Sequence, residues 1–201
     1  MKIVCLTLTD RTYGKGAPHH DRAHAHFAER GLGDVGWFYG IHADRIGVNT
    51  TLMFHTDYNM GPMPTGCWLS HRAAWAACLL MDDEEFLILE DDAQFSEDWK
   101  VRYESARAVL PDDWDVLFLG SCTTTGRSQH VSGEVYEVRW PMCLQAYLVR
   151  RRALERMITT QDEARCYGPI DITLERHTWP HLRVYTVLPR IVDQFDTELP
   201  P

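Results

Sequence analysis

Apolar and polar positions alternate along this chain in blocks rather than residue by residue. Phe86-Leu87-Ile88-Leu89 is a continuous apolar run that ends abruptly in Glu90-Asp91-Asp92, with apolar character resuming at Ala93 and Phe95. A short unbroken run of this kind predicts a strand buried on both faces, as in the middle of a helix-covered sheet. Lys2 to Thr9, Gly36 to Ile41, Asp115 to Gly120, Gln145 to Val149 and Leu182 to Pro189 are further β-rich runs, and Gly133 to Val138 predicts an edge strand or hairpin.

Between the strands the apolar positions recur at helical spacing. Asp21 to Arg30 carries Ala23, Phe27 and Ala28, and a helix opening at Thr65, with Thr65 as its cap, carries Trp68, Leu69, Trp75, Cys78 and Leu79. Ser96 predicts a cap for a helix with Glu97 and Asp98 in its first turn and Trp99, Tyr103, Ala106 and Leu110 on one face, stopped by Pro111. Arg150 to about Thr160 and a short helix from Pro169, with Asp171 in its first turn, complete the set. Strands alternating with helices predict an α/β fold, and without an internal repeat or linker the 201 residues read as one domain.

Two local patterns resolve on context. Gly31-Leu32-Gly33-Asp34-Val35-Gly36 fits G-x-G-x-x-G, but it follows a helix and leads into a strand, the reverse of what a dinucleotide's pyrophosphate requires, so it reads as a helix stop and turn. Arg150, Arg151, Arg152 and Arg156 read as a solvated helix face. His42 to Pro64, with two glycines, two prolines and no period, predicts a long loop at the ligand end.

Composition narrows the function. A net charge of −9 disfavours general binding to nucleic acid or anionic membranes, which need a positive field. The six cysteines are scattered without a C-x-x-C pair and read as reduced, mostly buried thiols. Ile3 to Leu8 is too short an apolar segment for a signal peptide, and no run approaches a membrane span, so a cytoplasmic protein is expected.

The chemistry concentrates at Glu90-Asp91-Asp92. Ligands of open α/β sheets bind at the carboxyl ends of the strands, and adjacent carboxylates repel unless a cation or solvent relieves them. A solvated acidic turn is the plainer alternative. Alternation along a regular strand would send Asp91 to the opposite side from Glu90 and Asp92. Ser70-His71 lies early in its helix, where a histidine is more often structural and where helix amino termini favour phosphate.

Gly66-Cys67-Trp68-Leu69-Ser70-His71, with Trp75, followed by Leu87-Ile88-Leu89-Glu90-Asp91-Asp92-Ala93-Gln94-Phe95, resembles the signature of glycosyltransferase family 25. That family includes bacterial lipooligosaccharide galactosyltransferases and collagen galactosyltransferases. The likeness continues through Trp114 to Gly120, Ala146 to Val149, Pro169-Ile170-Asp171 and Pro189 to Gln194. It departs from the family at Thr7-Leu8-Thr9-Asp10-Arg11, where an asparagine-leucine pair and an arginine-rich turn are usual, and at Asp44, which Arg45 rather than glycine follows.

The resemblance implies a single-domain GT-A-like fold with a central, mostly parallel sheet flanked by helices. It implies inverting transfer of a hexose, galactose or glucose, from a UDP-sugar to a hydroxyl. Glu90 and Asp92 would hold Mn²⁺ or Mg²⁺, hard cations that take oxygen ligands. Asp171 would be the catalytic base, with Glu175 a competitor, and Thr9, Arg11, Asp44, Ser70, His71 and Asp91 would contact the donor. His177, His181 and Gln194 are further candidate metal or diphosphate contacts. The acceptor hydroxyl could belong to a saccharide, a protein or a modified base. Two other classes stay open: a hydrolase using Asp92 and Asp171 as a carboxylate pair, and a non-catalytic sugar-binding module.

Overall fold

The computed structural model describes residues 1–7, 17–45, 60–122, 128–164 and 168–195. Its strands are β1 (Lys2–Thr7), β2 (Val35–Tyr39), β3 (Glu85–Glu90), β4 (Ala93–Phe95), β5 (Val116–Gly120), β6 (Ser128–Ser132), β7 (Val135–Val138), β8 (Ala146–Arg150), β9 (Val184–Val187) and β10 (Val192–Gln194). The α-helices are α1 (Ala17–Glu29), α2 (Pro62–Leu79), α3 (Trp99–Val109), α4 (Arg151–Ala164) and α5 (Ile170–His177), and a 3₁₀ turn spans Trp179–His181.

Eight strands form one sheet in the order β2-β1-β3-β8-β5-β9-β7-β6. All but β7 and β8 run in the same direction, so the sheet is mostly parallel in sense, with β8 inserted antiparallel between β3 and β5. β3 has the two-faced burial its apolar run predicts. Phe86 and Ile88 join the core beneath α2, α4 and α5, with Trp75, Leu154 and Leu174, whereas Leu87 and Leu89 face the core that holds Phe27 of α1 and Trp99 of α3. Helices therefore cover both faces of the central sheet, the α/β arrangement expected.

Several element ends differ from expectation for local reasons. α2 starts at Pro62, whose fixed φ suits a first helical position, so Thr65 is a buried helical residue rather than a cap. α3 starts at Trp99 with Asp98 at its N-cap, and the Ser96 hydroxyl donates to Asp98 Oδ1 at 2.7 Å instead of capping the helix. Gly133 to Val138 is the second half of a hairpin whose first strand, β6, forms the sheet edge.

The glycine-rich stretch after α1 is the stop and turn its context predicts. Gly31 has φ +65°. Its N–H donates to the Ala28 carbonyl at 3.0 Å and the Leu32 N–H to the Phe27 carbonyl at 2.9 Å, the paired bonds of a Schellman cap. The arginines at the start of α4 are not a free solvated face. Arg151 donates to the carbonyls of Leu79, Met81 and Asp83 at the end of α2, and Arg152 pairs with Asp115 at 2.7 Å. They hold the sheet edge opposite the acidic triplet.

β4 and β10 form a separate two-stranded antiparallel sheet, with Val192 opposite Phe95 and Gln194 opposite Ala93. The buried His26 ring accepts from the Phe95 N–H through Nε2 at 2.8 Å, which ties α1 to this ribbon. Gly120 sets how closely the ribbon approaches the main sheet, since a Cβ there would overlap the Val192 carbonyl oxygen. Gly120→Ala is therefore expected to destabilise the fold by roughly 1–3 kcal/mol through overpacking against main chain. Urea unfolding of the variant checks it, and unchanged stability would mean that the ribbon yields freely.

Candidate functional site

The acidic triplet sits where β3 stops. The Glu90 N–H still donates to the Gln145 carbonyl at 2.9 Å, but the chain then turns through Asp91 and Asp92 before β4. That turn ends strand alternation, so Asp91 is not sent to the far side as expected. All three carboxylates line one cavity of about 360 Å³, together with Thr7 of β1 and Ser70 and His71 of α2.

Each carboxylate has a different set of partners. Asp91 Oδ2 accepts from the Thr7 hydroxyl at 2.7 Å, at the carboxyl end of the neighbouring parallel strand. Glu90 Oε1 lies 2.8 Å from His71 Nε2. Asp92 Oδ2 accepts from the Gln194 amide at 3.0 Å, and its Oδ1 is buried with no hydrogen-bond partner. Burial, followed by the charges of Glu90 and Asp91, pushes the Asp92 carboxyl up to about 7, against a smaller lowering from Gln194. An orphaned carboxylate oxygen beside two other acids fits a cation with oxygen ligands.

The His71 ring is oriented from behind. Trp75 Nε1–H donates to the Tyr147 hydroxyl at 2.6 Å, and that hydroxyl lies 3.2 Å from His71 Nδ1. Indole can only donate, so the tyrosine's own hydrogen is available to Nδ1, leaving the Nε2 proton for Glu90. Tyr147 and Trp75 are fully buried. The histidine therefore presents an N–H to the acidic site.

A second cavity of about 190 Å³ meets the first at Pro64, Cys67 and Glu90. Asp171 and Gln194 line it, with Cys143 and Leu144. Asp171 stands in the first turn of α5, where its Oδ1 accepts from the Ile172 N–H at 2.9 Å. Glu175, His177 and His181 are not among the residues lining either cavity.

The remaining candidate residues spread out. The buried Ser70 hydroxyl donates to the Gly66 carbonyl at 2.6 Å and accepts from the Ile41 N–H at 2.7 Å, so its bonds go to main chain. Gly66 permits that approach, because a Cβ there would lie 2.6 Å from the Ile41 carbonyl oxygen. Asp44 is exposed after β2 and lines neither cavity. Thr9 and Arg11 lie outside the described residues.

The cysteine expectation needs correction. Cys122 and Cys143 form a disulfide, while Cys5, Cys67 and Cys78 are free and Cys166 lies outside the described residues. The physical reason is strand direction. β5 and β8 are antiparallel with Gly120 opposite Ala146, so the residues just beyond that pair converge, and the Cys122 N–H donates to the Met142 carbonyl at 3.0 Å. Sequence spacing alone carries no trace of this, and the disulfide now walls the second cavity.

An α/β sheet with acids clustered at the carboxyl ends of its strands defines a class before it defines a family. The fold matches the crystal structure of A197 from STIV with a TM-score of 0.50 and 12% identity, over 96% of this chain and 83% of that one. A glycosyltransferase involved in glycosylation of the major capsid of PBCV-1 aligns with a TM-score of 0.49 and 13% identity, over 92% of this chain and 81% of its own. At 12% identity the likeness to A197 concerns the fold alone.

Part of the chain also matches a family by sequence. Residues 49–132 match glycosyltransferase family 25 (LPS biosynthesis protein), which bears out the resemblance carried by the Gly66–His71 and Leu87–Phe95 motifs. A "Glycosyltransferase 25 family member" from Aedes aegypti is 34% identical over 82 residues. That match takes in 37% of this chain and 13% of the mosquito protein, so the chain spans a small part of its relative's length. Among the described residues no helix is long and apolar enough to cross a membrane.

Proposed function

We propose that residues 1–201 form one glycosyltransferase unit that moves a hexose, galactose or glucose, from a UDP-sugar to an acceptor hydroxyl with inversion. The observation that carries this reading is the orphaned Asp92 Oδ1, buried beside the larger cavity next to Glu90, which lines both. Asp92 and Glu90 would hold Mn²⁺ or Mg²⁺, which when bound supplies Lewis-acid neutralisation of the departing diphosphate.

The chain's own groups account for the rest. Gln194 steers Asp92 through its 3.0 Å bond, and the His71 N–H holds one oxygen of Glu90 so that the other faces the cavity. Asp91, anchored by Thr7, is suited to accept from ribose or sugar hydroxyls in the larger cavity. The smaller cavity is the acceptor side. There the Asp171 oxygen that is not bonded to Ile172 takes the proton of the attacking hydroxyl, as single displacement requires. Ser70 shapes the donor cavity through main-chain bonds instead of touching the ligand.

A saccharide acceptor, such as a growing lipooligosaccharide, or a protein hydroxyl suits the acidic balance better than a modified base on nucleic acid. A cytoplasmic setting would require Cys122–Cys143 to persist in a reducing compartment, where such pairs are rare. Alkylation of the protein directly in lysing cells tests that point.

The function itself is tested by mass spectrometry of a panel of nucleotide sugars with Mn²⁺, with and without chelator. Slow release of nucleoside diphosphate from one UDP-hexose, lost with chelator, is the expected result. Binding without any turnover, even with acceptors present, would favour a sugar-binding module instead.

A further inference from the structure

We propose that Cys67, His71 and Glu90 form a second cation site with the donor set of Zn²⁺, in the wall between the two cavities. One ligand atom from each lies within 4.8 Å of the others. Cys67 and His71 are one helical turn apart on α2, so their side chains share a face, and Glu90 meets them from the end of β3. Thiolate and imidazole select zinc-like ions, whereas Mn²⁺ and Mg²⁺ prefer the all-oxygen ligands that Asp92 offers.

On the His71–Glu90 side the geometry needs little adjustment, and the Cys67 sulfur closes in from within 4.8 Å. Tetrahedral Zn²⁺ places its nitrogen and oxygen ligands roughly 3.3 Å apart, so the 2.8 Å His71–Glu90 hydrogen bond opens by a fraction of an ångström. On binding, the Cys67 thiol gives its proton to solvent, and the His71 proton moves from Nε2 to Nδ1. That N–H then donates to the Tyr147 hydroxyl, whose own hydrogen rotates away from the ring, and so gives the outer-sphere support that zinc-bound histidines almost always have. Three protein ligands leave the fourth position to water from the cavity, as in zinc sites with an open position.

Glu90 belongs to both sites, so Zn²⁺ at Cys67 and Mn²⁺ at Asp92 compete. This consequence, unlike the site itself, rests on the donor-site reading above. Zn²⁺ then acts as an inhibitor that the transferase's own activating cation must displace.

The test uses the 201-residue chain with its disulfide intact, titrated with Co²⁺ as a spectroscopic stand-in for Zn²⁺. The expected result is a thiolate-to-cobalt charge-transfer band in the near ultraviolet that Zn²⁺ abolishes, Cys67→Ser removes and Asp92→Asn retains. Tyr147→Phe should weaken Co²⁺ binding about 10-fold or more. No band in the parent protein, or a band that survives Cys67→Ser, overturns the site.

A second measurement covers misfolding of the variant. In the parent protein, Zn²⁺ should slow alkylation of Cys67, and an unchanged alkylation rate counts against the site. Mn²⁺ binding followed by electron paramagnetic resonance separates the two readings: Zn²⁺ should release bound Mn²⁺ from the parent protein but not from Cys67→Ser. If Mn²⁺ does not bind at all, the donor-site reading fails, and the cobalt band still decides the Cys67 site.

Discussion

Asp92→Asn should lower chelator-sensitive turnover of the donor by at least about 100-fold, while making the metal-free protein more stable above neutral pH. Both effects come from one carboxyl held at about 7 rather than near its ordinary 3.8, chiefly by burial. Below the ordinary value it is protonated in the folded and unfolded chain alike and costs nothing. Between the two values the unfolded chain gives up a proton that the folded chain keeps, so stability falls as pH rises. Above about 7 the penalty is complete, with an upper bound of roughly 4 kcal/mol. Asn removes the charge and keeps an acceptor for Gln194. Urea unfolding near pH 8 should favour the variant by roughly 1–3 kcal/mol, with the advantage vanishing toward pH 4. Equal stability of the two proteins near pH 8 would mean that water relieves this carboxylate.

Asp171→Asn separates the two halves of the reaction. Transfer to the acceptor should fall by roughly 10²- to 10⁴-fold, the usual effect of a lost general base. Donor affinity and slow donor hydrolysis should stay near those of the parent, because Asp171 lines the smaller cavity and not the larger one. Chromatography of glycosylated acceptor against free nucleoside diphosphate reads both at once. Glu175→Gln should leave transfer within a few-fold of the parent. A large loss there instead would move the base one turn along α5.

The layers of the fold were legible because its signals are local. Phe86 to Leu89 is apolar at every position, which only a two-faced strand uses in full, and Trp68, Trp75 and Cys78 recur at helical spacing. The direction of a strand is not local. Nothing in Ala146 to Arg150 says that it runs against its neighbours, and both the Cys122–Cys143 bond and the Gln145–Glu90 contact depend on that direction.

The same division holds in the site. The acidic triplet could be read because its charges adjoin an apolar strand. The arrangement of its carboxylates could not, since it depends on a turn that sets aside the alternation of β3. His71 taken singly resembled any hydrogen-bonded histidine, and only the packing of α2 on the sheet brings its two ring nitrogens to Tyr147 and Glu90. Gln194 stood in a run too short to be read as a strand, so its pairing with Asp92 through β10 had no local sign.

The β4–β10 ribbon also bears on the order in which the protein becomes competent. Asp92 is held by the Gln194 side chain, and its carbonyl accepts from the Phe195 N–H at 2.9 Å. Asp92 is made 102 residues before the Gln194 that fastens it, whereas Thr7 and His71 precede the acids they hold. A ribosome-bound chain in which β10 has not yet emerged would have Asp91 on Thr7 and Glu90 on His71 but Asp92 unfastened. Affinity for the nucleotide donor should therefore switch on only once β10 has paired with β4, which would make donor binding a report on closure of that ribbon.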